Sequence, residues 1–101
     1  MPKPFDIGSL APALKRHSAF VKGLPGGARA NFARRKMAGA VLPRANLESA
    51  LLSGCDLSEG VLHHANLKRA DLFAARLAGA DLSIADLSGA DLRGARLRGA
   101  K

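Results

Sequence analysis

Leucine occupies every fifth position from Leu42 to Leu97, and this period suits neither of the common secondary structures. In an α-helix, five residues turn the chain by about 500°, so the leucines would point in every direction around the axis. In a strand, side chains alternate between two faces, so an odd period would place successive leucines on opposite faces. The leucines can share one core only if the chain bends once per repeat. The period therefore predicts a solenoid.

A second inward position lies two residues before each leucine. Small residues fill it in thirteen of the fourteen pentads between Ala30 and Gly99, and the exception is Arg35. Residues two apart are inward neighbours on an extended segment. The other three positions carry mostly Asp, Asn, Arg, Ser, Gly and Lys, so we expect the aspartates to bond local backbone in turns. We expect Arg35 to leave the core through the open end of an irregular first coil, because an unpaired buried guanidinium is costly.

The motif A-(D/N)-L-x-x, complete in ADLSI, ADLSG and ADLRG, resembles that of the pentapeptide-repeat proteins. The resemblance covers Ala30–Lys101. It implies an all-β solenoid, a right-handed quadrilateral β-helix with four pentads per coil and hence about 3.5 coils. The central positions of the core ladder are then Leu47, Leu52, Leu57, Leu62, Leu67, Leu72, Leu77, Leu82, Leu87, Leu92 and Leu97.

The segment before the repeats predicts an N-terminal capping α-helix over residues 9–22. Ser9 is its expected N-cap, and Gly23 suits the left-handed conformation that ends many helices. We predict that residues 1–29 form a basic arm and capping helix, with Met1–Gly8 extended, and that residues 30–101 form the β-helix. The stretch KRHSAFVKGLPGGARANF also resembles the lead-in of some bacterial pentapeptide runs.

The net charge of +8 lies entirely within residues 1–44, because residues 45–101 carry seven basic and seven acidic side chains. Such asymmetry suits either an anionic partner or a solvated cap on the solenoid. The chain has one cysteine and hence no internal disulfide, and it lacks an apolar run long enough to span a membrane or to serve as a signal peptide. These features predict a cytoplasmic protein without a membrane span.

The sequence predicts neither an enzyme nor a metal or cofactor site. His63 and His64 are adjacent outward positions and Cys55 is an inward one, so the three do not converge as metal ligands must. We interpret Cys55 as a small core residue. A leucine-filled coil also has no cleft for a nucleophile, its base and an orienting group.

Three surfaces are candidates for contacts, since residues twenty apart stack if four pentads make a coil. Exposed apolar groups mark a candidate interface at Val41, Val61, His63, Ile84, Leu51 and Phe73. The C-terminal coil is a candidate for end-on contact or homodimerisation through Leu92, Leu97, Arg93, Arg96 and Arg98. The candidate anion-binding residues are Lys15, Arg16, Lys22, Arg29, Arg34 and Lys36. One face of the coil stacks Lys36 with Asp56, Arg76 and Arg96.

Three functions remain open. The first is a non-catalytic module for protein–protein interaction or assembly, with self-association through the C-terminal coil. The second is binding of nucleic acid or another polyanion by the basic N-terminal segment, where base stacking has little support because Phe20 and Phe32 look structural. The third follows from family members that mimic DNA and bind DNA gyrase, and the neutral coil and basic lead-in of this chain disfavour it.

Overall fold

The computed structural model describes residues 5–101. A 3₁₀ helix spans Ile7–Leu10 and leads directly into α1, which spans Ala11–Val21. The remainder is a coil of pentads without long strands, held by isolated single-residue parallel bridges. The bridges join Asn31 to Leu51, Lys36 to Asp56, Val41 to Val61, Asn46 to Asn66, Leu51 to Asp71, Asp56 to Arg76, Val61 to Asp81, Asn66 to Asp86, Asp71 to Asp91 and Arg76 to Arg96.

Each bridge joins residues twenty positions apart, so four pentads complete one circuit of the chain. The backbone hydrogen bonds keep the same register: the Phe32 N–H donates to the Leu51 carbonyl at 2.8 Å, and the Leu51 N–H donates to the Ala30 carbonyl at 3.0 Å. Equivalent residues of successive coils therefore stack in columns. Neighbouring coils are spaced like paired strands, about 4.8 Å apart.

The bend is made at the last residue of every pentad, where the backbone φ is positive. In the first pentad, the Arg35 N–H donates to the Phe32 carbonyl at 3.0 Å across a turn whose second central residue, Arg34, has a φ of 60°. Glycine adopts this conformation without steric cost and fills six of the fourteen equivalent positions. Ile84, at 58°, is the most strained, because its β-branched side chain is poorly suited to the left-handed region.

Side-chain carbonyl and carboxylate groups close the other turns of the repeat. Asp71 accepts from the Phe73 N–H at 3.1 Å, Asp81 from the Ser83 N–H at 3.0 Å and Asp86 from the Ser88 N–H at 2.9 Å. The pKa values of Asp81 and Asp86 are lowered mainly because the serine two residues on donates from its side chain and its backbone. The predicted local bonding of the aspartates is confirmed.

The core is the column of inward side chains, and burial is complete through the middle of the coil. Every fifth-position leucine from Leu42 to Leu77 is buried, together with Phe32, Met37 and Cys55. Burial raises the pKa of the Cys55 thiol to about 12, so it stays protonated and packs as a small apolar group. Further along, Leu82, Leu87 and Leu92 are half-buried and Leu97 is exposed.

The helix α1 lies against the first coil through two buried side chains, Leu10 at its N-cap and His17 within it. The Ala30 N–H donates to Nδ1 of His17 at 2.9 Å, so that nitrogen carries no proton. Nε2 of His17 therefore carries the proton and donates it to the Glu48 carbonyl at 2.8 Å. One neutral imidazole thus joins two pentads of the first coil to α1.

The helix boundaries differ from the sequence prediction. Asp6, rather than Ser9, accepts the capping bond, from the Gly8 N–H at 2.9 Å, because a 3₁₀ turn precedes α1 and moves the cap three residues towards the N-terminus. Ile7 and Gly8 belong to that turn, so the extended arm predicted for Met1–Gly8 is wrong at its end, and residues 1–4 of it lie outside the described residues. Gly23 has a φ of 70°, as predicted for the helix end.

Candidate functional site: a basic face of the coil

The stacked columns divide the coil into four faces, each named here by its content. The Phe73 face comprises residues 30–34, 50–54, 70–74 and 90–94, and the basic face comprises 35–39, 55–59, 75–79 and 95–99. The valine face comprises 40–44, 60–64, 80–84 and 100–101, and the paired face comprises 45–49, 65–69 and 85–89.

Charge is distributed unequally among these faces. The basic face carries five cations and two carboxylates, a net charge of +3, whereas the Phe73 and paired faces are neutral and the valine face carries +1. Its cations are Arg35, Lys36, Arg76, Arg96 and Arg98. Two of them come from the N-terminal segment and three from the stretch whose own charges cancel, so the concentration of charge arises only when the coil stacks.

The two acidic residues of the basic face form no close ion pair with its cations. Asp56 accepts a hydrogen bond from the Ser58 N–H at 3.0 Å. Hydrogen bonds from the side chain and the backbone of Ser58 lower the pKa of Asp56 more than the charges of the nearby Arg76 and Lys36 do. The carboxylate of Glu59 lies over Gly79, in space that a Cβ at this position would fill. Among residues 5–101, no cation of the basic face lies within 4.0 Å of a carboxylate oxygen.

The paired face shows the opposite arrangement with similar residues. Lys68 lies 4.0 Å from Asp86, and Arg69 lies 3.7 Å from Glu48. On the Phe73 face, Arg93 binds Asp91 through two bonds of 3.0 and 2.8 Å, which lowers the pKa of Asp91 to about 2. These cations already have acidic partners, so they are less free to bind an external anion.

A cavity of about 210 Å³ lies where the basic face meets the Phe73 face. Its walls are Arg34, Lys36 and Arg76, with Asp56 and Gly54 completing the lining. The space exists because the column that starts at Arg34 continues with a glycine. A Cβ at Gly54 would lie 3.1 Å from the Arg34 side chain, which shows how closely that side chain covers the glycine.

A second cavity, of about 240 Å³, adjoins the first and is largely apolar. Arg34 and Gly54 line both cavities, and Ser53, Phe73 and Ala74 complete the second. Phe73 is 49% exposed. The guanidinium of Arg93 lies over its ring, 5.7 Å from the ring centre, and Arg93 does not line the cavity.

The structure brings together only part of the predicted anion-binding set. Arg34 and Lys36 share the first cavity, whereas the Arg29 Nε donates to the Ser49 carbonyl at 2.6 Å. The other three are exposed on α1 and its C-cap and do not line the cavity: Lys15, Arg16 and Lys22. Sequence reasoning left Arg76 out of the anion-binding set. The twenty-residue register, which had already placed it in a column with Lys36, is the signal that finds it.

The candidate apolar interface is divided between two faces. Val41 and Ile84 are exposed on the valine face, beside half-buried Val61 and His63. Phe73 is exposed as expected, but Leu51 is half-buried rather than exposed. Leu51 pairs in the bridge register with Asn31 and Asp71, so part of its surface is covered by neighbouring coils.

The residues predicted for end-on contact lie where expected in the last coil. Leu97 is 43% exposed, Leu92 is half-buried, and Arg93, Arg96 and Arg98 are exposed. Association through this coil stays a prediction. Arg35 is exposed, as predicted, with its guanidinium 5.7 Å from the centre of the Phe32 ring. The irregular first coil predicted there is wrong, because the Lys36–Asp56 bridge and the turn at Arg34 keep the regular pattern of the repeat.

The described part of the chain shows no group of three or more His, Cys, Asp or Glu side chains arranged to hold a metal ion. His63 and His64 contact each other through their Nδ1 atoms at 3.2 Å, while Cys55 is buried in the core. Within residues 5–101, no helix is both long and apolar enough to cross a membrane.

The pentad pattern seen in the coil also defines a protein family. The family described as pentapeptide repeats matches residues 28–63 and 65–101, in eight copies. The chain is a pentapeptide-repeat protein. The resemblance of the A-(D/N)-L-x-x motif is thereby confirmed, and proteins of this family are generally non-catalytic repeat proteins.

Two solved structures give the fold of related pentapeptide-repeat proteins. One is Rfr23 from the cyanobacterium Cyanothece 51142, with 31% identity and a TM-score of 0.69 over 70% of this chain and 48% of that one. The other is alr5209 from Nostoc PCC 7120, with 34% identity and a TM-score of 0.51 over 91% of this chain and 74% of that one. These pentapeptide-repeat relatives imply a right-handed quadrilateral β-helix.

This pentapeptide-repeat protein spans about half the length of Rfr23. A search of curated proteins gave no significant match. The matched ranges begin near the predicted boundary between residues 29 and 30, and the division of the chain into two parts stays a prediction.

Proposed function

We propose that this pentapeptide-repeat protein is a non-catalytic binding module whose basic face binds a polyanion. One observation carries the proposal: the basic face holds five cations against two carboxylates and, within the described residues, has no ion pair within 4.0 Å, whereas both cations of the paired face lie within 4.0 Å of a carboxylate. Lysine and arginine that neutralise phosphates or sulfates release bound counterions, which drives association. The basic face is therefore the surface best suited to a partner with regularly spaced negative charge.

The proposal keeps the predicted polyanion binding but moves it from the N-terminal segment to the coil. Arg76, Arg96 and Arg98 come from the stretch whose charges cancel along the sequence. A DNA-mimicking role gains no support, because mimicry needs a negative surface and each face of this coil is neutral or positive. The rigid register also fixes the spacing of the cations, so little ordering is needed on binding.

The fold supports this role by holding the face rigid. We propose that the coil comprises about 3.5 turns and that α1 caps its first turn. Support comes from Leu10 and His17, which are buried against that turn. The cytoplasmic location stays a prediction.

Binding to a fluorescein-labelled heparin fragment, followed by fluorescence anisotropy, tests the proposal. The dissociation constant should rise steeply between about 50 and 200 mM salt. The variant Arg76→Glu/Arg96→Glu should bind at least about 100-fold more weakly at low salt and show a shallower salt dependence, since two cationic contacts become repulsive.

The matched control is Lys68→Glu/Arg69→Glu on the paired face, which changes the net charge by the same amount. Exposed ion pairs contribute about 0–1 kcal/mol each, so this variant should stay folded and lose only a few-fold in affinity. Equal losses in the two variants would show that net charge, rather than the basic face, governs binding. Absence of binding by the unmodified protein at low salt would refute the proposal outright.

A second candidate function is protein–protein contact through the valine face. Ile84 is 77% exposed and holds a strained left-handed backbone where glycine would be easier. Val41, also on this face, is 48% exposed. If the partner is a second copy, sedimentation should show a dimer that Ile84→Asp disrupts. A strict monomer at high concentration would remove self-association through either the valine face or the C-terminal coil.

A further inference from the structure

We infer that the two adjoining cavities form a site for a nucleotide unit of a single-stranded nucleic acid, with a phosphate in the cationic cavity and a base against Phe73. The inference rests on the proposed function, because it names which polyanion the basic face binds. It adds a ligand group that heparin or polyphosphate lacks: a flat aromatic base.

The two cavities differ in the charge of their linings. Arg34, Lys36 and Arg76 supply three cations against the single carboxylate of Asp56 in one cavity. The other is largely apolar: Phe73, Ala74, Gly54 and Ser53 line it together with the shared Arg34. A ligand that fills both must therefore carry an anionic group directly beside an apolar, planar one, and a nucleotide has this composition.

The two cavities lie next to each other. Arg34 and Gly54 line both, so one ligand can reach from the first cavity into the second across these two residues. Each cavity alone is smaller than the roughly 300–1,000 Å³ of a typical small-molecule site, which suits two parts of one larger ligand. Arg34 lines both cavities, and an arginine can bond a phosphate and also lie against a base, as it does in many nucleic-acid complexes.

Phe73 supplies an exposed aromatic ring that lines the same cavity as Arg34. Phe73 extends from the third pentad of its face, two coils from Arg34, and half of its surface is open to solvent. Aromatic side chains next to a cationic groove are the usual platform for unpaired bases, and stacking of one base strengthens binding by about 5- to 150-fold. Duplex bases are already stacked on each other, so the site favours a single strand over a duplex.

Further cations of the basic face lie beyond the cavities. Arg96 stacks directly on Arg76 in the bridge register, and Arg98 follows it in the same pentad. Arg35 lies at the other side of Lys36 and is exposed. A strand whose nucleotide occupies the cavities can therefore place neighbouring phosphates on further cations, which favours a polynucleotide over a free nucleotide.

The experiment compares a labelled 12-mer of oligo-dT with an abasic sugar–phosphate strand of the same length. Both carry the same phosphates, so the basic face alone should bind them equally. We expect the intact protein to bind oligo-dT about tenfold more tightly than the abasic strand, as expected from stacking of one base. In the variant Phe73→Leu, which keeps an apolar side chain but removes the ring, the two strands should bind equally.

Two controls keep the result specific. Phe20→Leu removes another exposed aromatic ring, on α1 and away from both cavities, and should leave the tenfold preference unchanged. Ala74→Asn should reduce it, because asparagine tolerates the φ of 57° at this position and its larger side chain occupies the second cavity. Circular dichroism and thermal unfolding verify that each variant is folded.

The outcomes separate the inference from the proposed function. Equal binding of oligo-dT and the abasic strand by the intact protein would overturn the nucleotide site but leave polyanion binding intact. Tighter binding of a duplex of equal length, or of poly-glutamate, would also overturn it, in favour of double-stranded nucleic acid or an acidic protein. Failure to bind any of these probes at low salt would refute the proposed function itself.

Discussion

The first and last coils are built from the same pentad, yet their inward side chains have different surroundings. In the first coil Phe32, Met37 and Leu47 are buried, whereas in the last coil Leu87 and Leu92 are half-buried and Leu97 is exposed. The first coil has α1 against one side and a further coil against the other. In a solenoid each repeat is stabilised by its neighbours, so position along the stack, more than the motif, sets how much each leucine contributes.

The largest expected effect comes from truncating equivalent leucines in the middle and at the end of the stack. Leu57→Ala removes a fully buried side chain and should lower the free energy of unfolding by about 2–5 kcal/mol, because it leaves a cavity among well-packed neighbours. Leu97→Ala should cost less than about 1 kcal/mol, since this side chain is already 43% exposed. Urea denaturation measures both. Equal losses would contradict the idea that neighbouring coils set each leucine's contribution.

The next effect concerns the contact between α1 and the first coil, which depends on a neutral His17. Burial lowers the pKa of His17 below its usual 6.5, because the charged imidazole would lose water. Protonation would also place a hydrogen on Nδ1, against the Ala30 N–H that now donates to it. An unpaired buried N–H costs about 1–3 kcal/mol.

The sign of the resulting pH dependence follows from linkage. A histidine with a lowered pKa in the folded state contributes stability that is complete above the unfolded pKa near 6.5 and declines as the pH falls towards the folded value. Denaturation at pH 7.5 and at pH 5 should therefore show a loss at the lower pH. The shifts at Asp56, Asp81, Asp86 and Asp91 act only below their ordinary pKa of 3.8, so they do not contribute in this window.

A matched control uses the two histidines of the coil, half-buried His63 and exposed His64. The variant His63→Ala/His64→Ala should keep the loss of stability between pH 7.5 and pH 5, because those rings do not join α1 to the coil. If this variant showed no loss of stability between pH 7.5 and pH 5, the pH dependence would come from the valine face. That result would contradict the role assigned to His17.

The smallest effect tests strain in the last coil. Ile84→Gly should raise the free energy of unfolding by about 1 kcal/mol, since the φ of 58° is costly for a β-branched residue and its exposed side chain contributes little packing. The neighbouring change Ser83→Gly should not stabilise the protein, because Ser83 has no positive φ and its hydroxyl bonds Asp81. A destabilising Ile84→Gly would show that the isoleucine side chain packs within the chain.

The sequence determined the coil and its core because both follow from local rules. A period of five requires one bend per pentad, and this alone predicts a common interior for the leucines. The helix before the repeats was also predictable, since Gly23, which suits the left-handed end of a helix, is a local signal. Its start was not, because the 3₁₀ turn that moves the cap to Asp6 has no comparable pattern.

Only the tertiary structure decided which residues meet across coils. The period shows that the chain bends, and the family resemblance implied four sides and hence columns of residues twenty apart; the hydrogen-bond register confirms those columns and decides which side chains meet between them. That register gathers Arg34, Arg76 and Phe73 around adjoining cavities and sets five cations against two carboxylates on the basic face. It also sets His17 between the Ala30 and Glu48 backbones. Such contacts depend on distances between segments far apart in sequence, which local periodicity does not encode.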